Sequence, residues 1–74
     1  MDRETIVSEL ARAEWYITSG QDKIAQQRQL VAELEMGGLD ATEAHKELTR
    51  LEAAQRLHSE HRDALLRRLR TLNG

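Results

Sequence analysis

An all-α antiparallel helical hairpin is the fold this sequence predicts, and three observations predict it. The 74 residues contain no proline, so the strongest helix breaker is missing along the whole length. Leucine, alanine, glutamate, glutamine and arginine dominate. All are good helix formers, whereas the β-branched and aromatic residues that favour strands are scarce. Close to the midpoint stands Gly37-Gly38. Glycine enters the left-handed backbone region without a steric cost, so it ends helices and turns chains. Seventy-four residues allow one domain at most.

The first helix is expected from about residue 3 to 36. Along it Ile6, Leu10, Ala13, Ile17, Gly20, Ile24, Gln27, Val31 and Leu34 recur in alternating steps of four and three, a heptad seam. Gly20 and Gln27 weaken that seam in the middle or admit close approach of another element. Gln27 is expected to set the register, as a single buried polar residue can. The turn follows at 37–40, with Gly37 as the stop of the first helix. Asp40 is the expected N-cap of the second helix, with Glu43 completing a capping-box-like pair and Leu39 and Ala44 forming a weak hydrophobic staple.

The second helix is expected from about residue 41 to 72, ahead of a frayed Asn73-Gly74 end. Its seam reads Ala44, Leu48, Leu51, Ala54, Leu65, Leu69 and Leu72. Its centre is ambiguous. Gln55, His58, His61 and Arg62 fall where a strict seam wants leucine, while Leu57 points elsewhere. Folding the chain about the turn sets Leu34 opposite Glu43 and Ala44, Ile24 opposite Ala54, and Gly20 beside Leu57 and His58. Ile17 then lies near His61, Ala13 near Leu65 and Ile6 near Leu72. Both imidazoles would sit against the gap left by Gly20.

Two such helices bury one stripe each, and chains this small rarely build a sufficient core alone. Apolar residues also remain off the seam. Val7, Tyr16 and Leu30 flank it on the first helix, Leu57 and Leu66 on the second, and Trp15 falls on the outer face. A stripe this wide suits a helix with two neighbours. The expectation is a homodimer, or another homo-oligomer, built as a four-helix bundle. Val7, Trp15, Tyr16, Leu30, Leu57 and Leu66 would be its contact surface, with an unidentified protein as the alternative partner.

The chemistry on offer is sparse. A net charge of −2 lacks the basic surplus of a general nucleic-acid binder. The basic stretch of Arg67, Arg68 and Arg70, with Arg62 nearby, would lie beside Asp2, Glu4 and Glu9. A weak nucleic-acid or membrane-surface adaptor is therefore a minor reading. With no cysteine, disulfides and thiolate metal sites are excluded. His58 and His61, one helical turn apart, are weak candidates for a metal- or pH-responsive sensor, since a metal site needs three or four converging ligands. Glu14 is the only carboxylate proposed to approach them, and His45 lies too far along the rod. No nucleophile with its base, no Gly-rich phosphate loop and no paired-carboxylate site emerges, so neither an enzyme nor a cofactor is expected. The mixed-charge N-terminus lacks the apolar region of a signal peptide. No run approaches the ~18 apolar residues of a membrane span, and a cytoplasmic location is expected.

The pattern Ile17-x-x-Gly20-x-x-x-Ile24-x-x-Gln27-x-x-Leu30-Val31-x-x-Leu34, then Gly38 and Ala41-Thr42-Glu43-Ala44, with His58 and Arg62-Asp63 later, carries a resemblance. It resembles a group of small uncharacterised helical-hairpin proteins of soil and plant-associated proteobacteria, over about residues 10 to 65. Members of that group often carry histidine where this chain has Tyr16 or Lys23. The resemblance implies a helical hairpin and no established activity.

Overall fold

The computed structural model describes residues 2–73. Two helices, α1 (Arg3–Met36) and α2 (Thr42–Asn73), pack against each other along their length. The result is a rod of 56 × 15 × 14 Å, the length expected of helices this long at about 1.5 Å per residue. The expected fraying after residue 72 does not reach Asn73, which is still helical, and Gly74 lies outside the described residues.

Each end of α1 is closed by local chemistry. Asp2 caps its start, its carboxylate accepting from the Thr5 amide at 2.8 Å. This bond holds the Asp2 carboxyl below its ordinary range. At the far end the Leu39 amide donates to the Leu34 carbonyl at 2.8 Å and the Gly38 amide to Glu35 at 3.1 Å. These two bonds make a Schellman motif. Gly37 is the C-cap but keeps a helical backbone, whereas Gly38, at φ 71°, makes the left-handed reversal. The expected stop is therefore divided between two glycines, and the second one turns the chain.

The start of α2 departs from expectation by one residue. The Ala41 carbonyl accepts the first helical bond, from the His45 amide at 2.9 Å, so Ala41 rather than Asp40 is the N-cap. Asp40 instead forms an Asx turn. Its carboxylate accepts from the Thr42 hydroxyl at 2.6 Å and the Thr42 amide at 2.9 Å. Those two donors, the hydroxyl foremost, hold the Asp40 carboxyl below its usual range. Glu43, expected to complete a capping box, pairs with Lys46. Leu39, the expected staple, is mostly exposed.

The α1 seam is as expected, with Ile6, Ala13, Ile17, Ile24 and Val31 buried. Two apolar clusters result. Ile6, Ala13 and Leu65, backed by Leu10 and Leu69, close the open end, and Val31, Ala41 and Ala44, backed by Leu34 and Leu48, lie beside the turn. On α2 the strict heptad continues through the centre. Gln55, His58 and Arg62 are half-buried, while Ala54 is exposed. Ala54, expected opposite Ile24, is displaced because the four-and-three spacing outranks side-chain polarity there.

Two glutamines bridge the helices in opposite directions. Gln27 of α1 donates to the Ala44 carbonyl at 3.0 Å, and Gln55 of α2 donates to the Ile17 carbonyl at 2.8 Å. The second bond depends on Gly20. A Cβ there would overlap the Gln55 amide oxygen, with the amide carbon only 3.0 Å away. Gln55, and not the pair of imidazoles, therefore fills the gap at Gly20. The same Gln55 oxygen is buried and accepts no hydrogen bond.

Candidate interaction surface

The two flanks of the hairpin differ. On one, polar side chains pair across the helices. Arg28 donates to Glu52 at 2.9 Å, and the His45 imidazole lies 3.7 Å from the Glu35 carboxylate. An open cleft on this side is lined by Gln21, Ile24, Arg28, Gln55, Ser59 and Arg62. Opposite charges at positions flanking an antiparallel seam close it with hydrophilic side chains. Val7 and Leu66 occupy the same heptad positions near the open end, and both are exposed.

The other flank carries the heptad line of Glu9, Tyr16, Lys23 and Leu30 on α1, against Glu47, Ala54 and His61 on α2. Three clefts follow one another along it. The first lies among Glu9, Arg12, Tyr16, His58 and His61. The middle one runs from Trp15 and Tyr16 to Lys23 and Ala54, and the third from Lys23 to Leu30 and Glu47. Tyr16 is 43% exposed. It stacks on His58 with ring centroids 5.1 Å apart and planes 10° apart, and Trp15 meets its edge at 5.2 Å. Neither Arg12 nor Lys23 makes an ion pair or hydrogen bond among the described residues.

All six residues expected at a contact surface are solvent-exposed in the hairpin, but they do not share one face. Tyr16 and Leu30 lie on the flank without cross-helix ion pairs. Trp15 (64% exposed) and Leu57 (66%) border that flank from the outer side, while Val7 and Leu66 lie across the rod. The histidine pair is also divided. The His58 ring is occupied by Tyr16, whereas His61 is exposed at the cleft rim. Glu14 takes the opposite flank from His61, and no group of three or more metal-ligating side chains converges among the described residues. His45, as expected, is remote, beside Glu35.

Arg62 leans on its neighbour Asp63 at 3.2 Å, and Arg68 lines a shallow cleft with Ile6, Thr71 and Leu72 at the open end. Among the described residues no helix is long and apolar enough to cross a membrane. Sequence reasoning placed Gln55 at a seam position where leucine was wanted, but missed that it bonds the Ile17 carbonyl across Gly20. It also missed the difference between the flanks. The signal for that was available in the opposite charges of Arg28 and Glu52. No protein-family model, curated protein or solved structure matches this chain.

Proposed function

We propose that this chain is a non-catalytic protein–protein interaction module, a regulatory adaptor, that self-associates through helix packing. The observation that carries the reading is the balance of apolar side chains. Among the described residues eight form the buried core and three of them are alanines, while nine large apolar residues, including Trp15, Leu30 and Leu57, stand exposed. Burying a leucine-sized side chain contributes about 1.5–3 kcal/mol, so leaving that many in water forgoes much of the ~5–15 kcal/mol stability of an ordinary domain. Covering them with further helices is the arrangement a four-helix bundle provides.

The clefts are open grooves along a thin rod, which supports binding over chemistry. Ligand and active sites are concave and bury most of what they hold. Sedimentation equilibrium of the chain tests the reading, with a mass of twice 8.5 kDa expected at micromolar concentration. A single-chain mass at every concentration up to about a millimolar would remove self-association.

A further inference from the structure

We infer that the first cleft, between Arg12 and Tyr16 of α1 and His58 and His61 of α2, binds a small tetrahedral oxyanion, sulfate or phosphate, under mildly acidic conditions. The site is formed within one hairpin, so it does not rest on self-association. The cleft holds about 320 Å³. An arginine and two of the chain's three histidines meet there against a single carboxylate, Glu9. Arg12 makes no ion pair or hydrogen bond among the described residues. Its guanidinium offers a planar fork of N–H donors, which matches two oxygens of such an anion. The half-buried His58 ring is held in place by its stack on Tyr16, with planes 10° apart. That contact uses a ring face and leaves the N–H groups for a ligand, and His61 stands exposed at the rim.

The charge in the cleft depends on pH. Histidine ordinarily gains its charge between about pH 8 and 5. With both imidazoles neutral, Arg12 and Glu9 cancel. With both protonated, three cations face one carboxylate, and each imidazolium donates from both ring nitrogens. The remaining charged groups near the imidazoles on α2 offset this little, since Arg62 and Asp63 pair with each other and Glu60 is exposed to water.

Other occupants fit less well. A metal ion would find no group of three or more ligating side chains among the described residues, and Arg12 would repel it. A nucleic acid or an acidic lipid surface would meet a chain of net charge −2, which provides no long-range attraction for a polyanion.

The histidine ring signals in a proton NMR spectrum read the site directly, and His45, beside Glu35 and remote from the cleft, is the internal control. The chain would be titrated from about pH 8 to 5 in sodium sulfate and in sodium chloride of equal ionic strength, since sulfate keeps its charge throughout. Binding to the protonated cleft should raise the titration midpoints of His58 and His61 in sulfate and leave that of His45 in place. At the acid end a sulfate titration should saturate with a Kd on the order of a millimolar. Arg12→Gln should weaken binding about tenfold, and Glu9→Gln should tighten it severalfold by removing the opposing charge. Lys23→Gln, outside this cleft, should change nothing. Circular dichroism would check that each variant stays helical. Equal movement of all three histidines in sulfate, or a response that survives unchanged in Arg12→Gln, would overturn the site.

Discussion

The Gly20–Gln55 contact makes a quantitative prediction. Gly20→Ala, Gln55→Ala and the double variant form a thermodynamic cycle. Alanine is a better helix former than glycine by about 1 kcal/mol, so the methyl alone should help α1. In the native background, however, that methyl occupies the place of the Gln55 amide. The amide must swing out, breaking the bond to the Ile17 carbonyl. A net hydrogen bond contributes about 0.5–1.5 kcal/mol, so Gly20→Ala should come out near neutral. With alanine at 55 nothing is displaced. The new methyl enters the vacated space and gains up to about 0.8 kcal/mol from burial on top of the propensity term. The coupling between the sites should therefore be about 1–2 kcal/mol. For a domain of this size each kcal/mol moves Tm by about 4–8 °C. Thermal and urea denaturation followed by circular dichroism, at one fixed protein concentration, would measure it. Effects that add to within about 0.5 kcal/mol would refute the claim that Gln55 sits in the space Gly20 leaves.

Two further predictions concern the termini and the turn. Gly38→Ala should cost about 1–2 kcal/mol for the left-handed backbone, because φ is 71° and no atom lies near enough to add a clash. Gly37→Ala, in a helical conformation, should be tolerated, and equal losses at both positions in a urea melt would contradict the Schellman assignment. Asp2 and Asp40 both have folded-state pKa values below their ordinary one. Their contribution to stability is present above the ordinary carboxylate range and is lost as pH falls through the lowered values. Replacing both by alanine should therefore lower Tm at neutral pH and flatten its decline on the acid side. An unchanged acid profile would argue against these caps.

The existence and limits of the helices were legible because they rest on local rules. Proline is absent, the glycines are paired, and the heptad of α1 is nearly unbroken. The errors arose where a local rule had a close competitor. Asp40 is a good capping residue, but its carboxylate reaches Thr42 best from one place earlier, leaving Ala41 to supply the cap carbonyl. Ala54 looked like a seam residue on composition. Gln55 holds the place on spacing, because only Gly20 opposite makes room for an amide. The difference between the flanks was harder to read, since it depends on the axial offset between the helices. The periodicity of either helix alone carries no information about that offset, and it is set by Gln27 on Ala44 and Gln55 on Ile17.

The same polar centre links the fold to the proposed self-association. The apolar clusters occupy the two ends of the rod, and between them lie a glycine, the bridging Gln55 with a buried unpaired oxygen, and the Tyr16–His58 stack. Buried Ile17 and Ile24 flank that middle on α1, but the α2 side facing them is polar, with Gln55, His58 and Arg62 half-buried, so it is the weakest layer of the hairpin. Folding and pairing should then be coupled, and the melting temperature should depend on protein concentration. For a native dimer that melts to single chains, each tenfold rise in concentration stabilises by about 1.4 kcal/mol of dimer, a shift of a few degrees at this chain length. A wild-type Tm that stays constant over a hundredfold range of concentration, while the mass remains dimeric, would mean that the hairpin stands unaided and that the second copy adds nothing to its weak centre.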